Sequence, residues 1–172
     1  MGEPVMVNDA TKVVFTDVDG VLNEDTTPSR TKSRCIFVDE AKILRLKEIV
    51  DATQAKIVLS STWRYDRNDP RFNGDFLELK EALATHGLEF YSYTPEDVTG
   101  LRRGMEIKAW LGSHPEVKQF VILDDELFDF EERGLLDHLV KTDFGYGGLT
   151  EEHVKEAIEI LMGSNANDNK ER

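Results

Sequence analysis

The chain has a single cysteine, Cys35, in 172 residues. An intrachain disulfide is therefore impossible, and a reducing, cytoplasmic setting fits this usage best. No apolar stretch approaches the roughly 20 residues that a membrane-spanning helix needs. The opening residues, MGEPVMVNDATK, have neither the basic start nor the apolar centre of a secretory signal. Met6 stands where a myristoylation signal wants Ser or Thr. Positive charge is scarce: 21 Lys and Arg face 34 Asp and Glu, for a net charge of −13. That balance argues against tight, nonspecific nucleic-acid binding, which draws its affinity from neutralised phosphates. No internal repeat and no break in composition marks a second domain. With 40% hydrophobic and 32% charged residues, the chain fits one soluble domain with a real core.

What is present is organised around residues 12–24, KVVFTDVDGVLNE. The run Val13-Val14-Phe15 is β-branched and aromatic, short, and followed by turn residues, as in a buried strand. Asp17 and Asp19 then sit at and just past its carboxyl end. In an open α/β sheet that edge is where ligands bind. Asp and Gly are also ordinary turn formers, so D-x-D-G alone is compatible with a plain turn. Two carboxylates at a buried strand end are costly unless paired or bound to a cation, and Mg²⁺ suits one or two carboxylates plus a phosphate oxygen.

Further elements alternate along the chain. Residues 38–53 have a helical pattern, with Asp39 as cap and Ile43, Leu46, Ile49 and Val50 on one face. Strands are expected at 56–59, 89–93, 119–123 and 138–142, and helices at 75–86, 104–112 and after Thr150 to Leu161. The polar residues 24–34 and 65–74 read as loops. Residues 1–11 form a lead-in, 12–163 the folded unit and 164–172 a polar, disordered tail. The alternation predicts a doubly wound parallel sheet with helices on both faces, a three-layer α/β fold.

Several side chains at predicted strand ends admit two readings. Ser60, Ser61 and Thr62 follow the second strand. A hydroxyl there can donate to phosphate or cap a turn. Trp63 can cover the core or stack on a substrate ring. Arg64 can grip a phosphate or make a structural ion pair. Asp124, Asp125 and Glu126 follow the fourth strand; adjacent acids fit a helix start or a cation site. Basic residues cluster at Arg30, Lys32 and Arg34, at Arg64, Arg67 and Arg71, and at Arg102-Arg103. Each cluster reads first as solvated surface, and the latter two gain interest from their proximity to proposed site strands.

Asp17-Val18-Asp19-Gly20-Val21 resembles the first motif of the haloacid dehalogenase-like (HAD) hydrolases, mostly Mg²⁺-dependent phosphatases. Ile57-Val58-Leu59-Ser60, the basic residues around Arg103-Gly104 and Lys108, and Phe120 through Asp125 resemble the remaining motifs in order. Ser-Ser-Thr-Trp-Arg after the second strand and Gly-Leu-Thr before the last helix are similar to a small branch found in multi-domain RNA repair proteins. The resemblance implies a Rossmann-like HAD fold with little or no cap, since the connection after Gly20 has no room for one. It implies an aspartyl-phosphate mechanism with Asp17 as nucleophile and Asp19 as acid and base. It also implies Mg²⁺ held by Asp17, the backbone carbonyl of Asp19, and Asp124, with Asp125 orienting bound water. Ser60 and one cation, Lys108 by residue type or Arg103 by position, would contact the phosphoryl group; Lys108 is favoured on chemistry. Trp63 and Arg64 are the candidates for substrate contact. The expected substrate is a phosphorylated nucleic-acid end or nucleotide. A phosphoprotein or small phosphate ester is the alternative, and a noncatalytic phosphate-binding module the rival from another class.

Overall fold

The computed structural model describes residues 11–28, 38–97 and 99–163. Of the 1–11 lead-in only Thr11 is described, where it opens the first strand; residues 1–10, the 164–172 tail and residues 29–37, including Arg30, Lys32, Arg34 and Cys35, lie outside the described residues.

Five parallel strands form one sheet: β1 (Thr11–Thr16), β2 (Lys56–Leu59), β3 (Phe90–Tyr93), β4 (Val117–Asp124) and β5 (Leu139–Lys141). Their spatial order is β3-β2-β1-β4-β5. β1 is central and pairs with β2 through Val13–Lys56 to Thr16–Leu59, and with β4 through Val13–Phe120 to Thr16–Leu123. Helices α1 (Glu40–Thr53), α2 (Gly74–Ala84), α3 (Arg103–Gly112) and α4 (Glu151–Leu161) connect and close it.

Strand alternation sorts the core into two faces. Val14, Ile57, Leu59, Val121 and Leu123 pack with Leu46 and Ile49 of α1, Leu79 and Leu83 of α2, and Val154 and Ala157 of α4. Val13, Phe15, Val58 and Ile122 pack on the other face with Ile107 and Trp110 of α3, and with Phe130 and Leu135. Both faces being covered fits the continuous apolar runs Val13–Phe15, Ile57–Leu59 and Phe120–Leu123 in the central strands, the pattern of a parallel sheet.

The caps follow the sequence. The Asp39 carboxylate accepts the Ala41 N–H at 2.9 Å. Thr150 and His153 form a reciprocal capping box at the start of α4. Helix α2 ends at Ala84, before the expected 86, because the Leu88 N–H bonds the Leu83 carbonyl across Gly87, whose φ is +74°. β4 runs from 117 to 124, longer than expected and carrying Asp124 into the sheet.

One consequence of the order decides where chemistry belongs. From β1 the chain leaves toward β2 on one face; β4 lies on the other side of β1 and is reached through α3 on the opposite face. β1 and β4 thus flank the point where the winding reverses, and a crevice opens at their carboxyl ends. Residues 17–28 make turns over this edge: the Val21 and Leu22 N–H groups both bond the Val18 carbonyl.

Candidate active site

At the end of β1, the Asp17 N–H still pairs with the Leu123 carbonyl of β4, at 2.9 Å. The sheet therefore fixes the Asp17 backbone, and its side chain is buried. Asp124 ends β4 and is fully buried; Asp125 follows it, half-buried. Oxygens of Asp17, Asp124 and Asp125 lie within 4.8 Å of one another. Gly20, at φ +83°, makes room for this: the Asp125 carboxylate occupies the space a Cβ would fill. The Thr142 hydroxyl, just past β5, donates to the Gly20 carbonyl at 2.6 Å and fastens the turn.

The three acids are under-neutralised. Burial raises the Asp17 pKa, with repulsion from Asp19 adding, against the opposing pull of Arg103. Burial and then Asp17 raise Asp124 well above the ordinary value. Asp125 is pushed up to about 6 by burial, by Asp17 and by Glu126. Among the described residues, one cation reaches them. Arg103 Nη1 lies 2.7 Å from Asp124 Oδ2 and 3.2 Å from Asp17 Oδ2. Burial opposes its charge, but Asp17 and Asp124 outweigh burial and raise its pKa. Buried carboxylates with a net negative balance and convergent oxygens fit a hard divalent cation.

The position of Arg103 is built by parts with no obvious motif. The Asp129 carboxylate accepts the N–H groups of Gly104 at 2.6 Å and Met105 at 3.1 Å, capping α3 from 25 residues away. Gly104 is required beside it, since a Cβ there would meet Asp129 Oδ1 at 2.8 Å. The Arg103 guanidinium lies over the Phe128 ring, 4.3 Å from its centroid. Phe128 has φ +40°, an unusual conformation for a bulky residue. Lys108, favoured on residue type, is exposed on α3. Arg103 opens the helix at the crevice, and Lys108, five residues on, lies more than a turn along it.

The hydroxyl that helps hold Asp17 ionised is that of Ser61. Ser60 still pairs with β1 through its N–H to the Thr16 carbonyl, at 3.0 Å. By strand alternation its side chain shares the face of Val58. It is fully buried, and its Oγ has no hydrogen-bond partner among the described residues. Ser61, one step beyond, is the first residue free of the sheet. It also caps the 3₁₀ turn Thr62–Arg64 by accepting the Trp63 N–H at 3.2 Å.

Arg64 makes the structural pair. Its Nε donates to Thr94 O, Nη1 to Ser60 O and Ser61 O, and Nη2 to Pro95 O. Nη2 also meets Glu106 Oε2 at 2.5 Å. With these donors occupied and the side chain fully buried, it has nothing left for a substrate. Trp63 is half-buried against the core, and its Nε1 donates to Asp19 Oδ2 at 3.0 Å. Asp19 itself is exposed at the rim and outside the three-acid cluster. The outer arginines are mostly engaged: Arg67 lies 3.7 Å from Glu96, Arg71 2.9 Å from Asp69 and Arg102 2.7 Å from Asp97.

The family model for the HAD domain in Swiss Army Knife RNA repair proteins matches residues 13–154. The chain belongs to this HAD family. The matched span takes in every element from β1 to the start of α4, and so the whole acid cluster. A search of curated proteins finds no match. Among solved structures, the HAD domain is similar to the cobalt-bound deoxy-D-mannose-octulosonate 8-phosphate phosphatase of Haemophilus influenzae. The identity is 16%, covering 95% of this chain and 96% of that one, with a TM-score of 0.47. It is also similar to a hypothetical protein of Xanthomonas campestris, at 12% identity, 95% and 90% coverage and a TM-score of 0.47. At that level neither likeness bears on the reaction of this HAD domain.

Proposed function

We propose that the chain is a Mg²⁺-dependent phosphatase working through a phosphorylated Asp17. The observation that carries this is the pairing of a buried, backbone-fixed Asp17, held by Ser61 and Arg103, with a second acid two residues on at the rim. Asp17 attacks phosphorus; the P–O bond to the leaving group breaks, and Asp19 gives that oxygen a proton. Water then attacks the aspartyl phosphate, Asp19 takes a proton from that water, and the bond between phosphorus and the Asp17 oxygen breaks, freeing inorganic phosphate and the Asp17 carboxylate. Arg103 and the Ser61 hydroxyl supply positive charge and a donor to the phosphoryl oxygens. Asp17, Asp124 and Asp125, with the Asp19 carbonyl, are the residues that would hold Mg²⁺. When bound, the ion would offset repulsion between the anionic nucleophile and the phosphate dianion.

A phosphorylated nucleic-acid end is the substrate class the family description supports, within a reducing, cytoplasmic setting. A small phosphate ester is the second reading, favoured by the described arginines of the rim: Arg67, Arg71 and Arg102 each face an acid and so offer less charge to a polyanion.

The test is Mg²⁺-dependent phosphate release from 5′- and 3′-phosphorylated oligonucleotides, nucleotides, phosphopeptides and sugar phosphates. Native protein should turn over at least one class, and Asp17→Asn none. Selective oligonucleotide turnover, with affinity falling steeply in salt, is the expected pattern; release that persists in Asp17→Asn would sink the nucleophile assignment.

A further inference from the structure

We infer that Trp63 and Asn23 are positioning residues that clamp the Asp19 carboxylate, and that Trp63 serves the site through its indole N–H and not by stacking on substrate. The inference rests on the acid–base role given to Asp19 above.

Asp19 needs such a device. It is exposed on a turn, where an unrestrained carboxylate would rotate freely. Instead each oxygen accepts a bond from a different element. Asn23 Nδ2 donates to Oδ1 at 2.9 Å, and Trp63 Nε1 donates to Oδ2 at 3.0 Å. Both donors are themselves fixed. Asn23 is fully buried, and its own Oδ1 accepts the Gly20 N–H at 2.9 Å. Trp63 belongs to the 3₁₀ turn that Arg64 anchors through five hydrogen bonds. That single turn thus bears on both acids of the D-x-D motif: Trp63 bonds Asp19, and Ser61 favours the ionised form of Asp17. Each Asp19 oxygen keeps a second lone pair, so the clamp orients the group without blocking proton transfer. Positional precision of this kind is what acid–base catalysis depends on.

Two variants separate the clamp from a stacking platform. Trp63→Phe keeps an aromatic face and loses the N–H; Trp63→Ala loses both. The clamp predicts that kcat falls about tenfold or more in Trp63→Phe, nearly as far as in Trp63→Ala, with KM changed less than about twofold. In single-turnover phosphoenzyme formation, the loss should be larger for an alkyl phosphate than for 4-nitrophenyl phosphate, whose leaving group needs little protonation. Stacking predicts the opposite: a near-native Trp63→Phe and a raised KM in Trp63→Ala, which would overturn the inference.

The bond has its own readout, because the chain has two tryptophans. Trp110 Nε1 donates to Ser92 Oγ at 2.9 Å, away from Asp19. In ¹H–¹⁵N spectra, Asp19→Ala should shift the Trp63 indole resonance and leave that of Trp110 in place. An unmoved Trp63 resonance would overturn the clamp even in a fully folded variant. Loss of turnover in Asp19→Ala beside native kinetics in Trp63→Phe would overturn the clamp alone. Native turnover in Asp19→Ala would overturn both the role of Asp19 and the purpose of the clamp.

Discussion

Arg64 and Arg103 are both buried and both meet a carboxylate beside helix α3, yet their surroundings differ in charge balance. Arg64 faces one acid, Glu106, and its remaining donors end on the carbonyls of Ser60, Ser61, Thr94 and Pro95. The Asp97 N–H donates to the same Glu106 oxygen at 2.8 Å. Burial still pushes both partners toward neutrality, lowering Arg64 and raising Glu106 against their mutual attraction. Arg103 instead faces Asp17 and Asp124 with Asp125 alongside, one cation among three acids. A balanced, saturated cluster fixes loops in place; an under-neutralised one at a crevice is left to be completed by a ligand. The first holds the Ser61–Arg64 turn that serves the second.

The largest effect expected from this comparison is on folding. Arg64→Met leaves Glu106 buried without its partner and should cost about 3–5 kcal/mol, read by urea denaturation. Arg64→Met with Glu106→Leu should recover much of it. A stable but inactive Arg64→Met would break the comparison by moving Arg64 into the working site. Next in size is the division between two cations. Arg103→Met should lower kcat by about 10²–10³, as for loss of one preorganised donor to the phosphoryl oxygens. Lys108→Met should leave stability within about 0.5 kcal/mol and turnover near native. Reversed results would return the role to Lys108.

Much of this architecture is legible in the sequence because period and punctuation agree. Val13–Phe15, the Asp39 cap and the Thr150 cap each sit where local chemistry puts them. The D-x-D-G motif and the acids after β4 meet because parallel pairing of β1 with β4 brings both carboxyl ends together. The rest depends on contacts that no local pattern encodes. Asp129 looks like a surface acid until the chain returns it to the start of α3. Arg103 meets Asp17 and Asp124 because it opens α3, whereas Lys108 is exposed further along the helix. Ser60 stays paired with β1 one residue past the last apolar side chain of β2, and Ser61 is the first residue beyond it, a difference that strand alternation could have flagged. The basic clusters look available in sequence, but Arg67, Arg71 and Arg102 find acids nearby in space.

Asp17, Asp124 and Asp125 are the proposed cation site. Their folded pKa values are raised, so each favours folding below the ordinary carboxylate pKa. That contribution is lost as pH rises through the folded value, about 6 for Asp125. Bound cation should restore it, most strongly above pH 6. The most direct measurement is the Mg²⁺-induced shift in Tm at pH 5 and pH 7.5, for native protein and Asp124→Asn. A cation site there gives a clear rise for native protein at pH 7.5, corresponding to about 2.7 kcal/mol at one hundred times Kd, a smaller one at pH 5, and little in Asp124→Asn. No Mg²⁺ shift at pH 7.5, or an equal shift in Asp124→Asn, would contradict it.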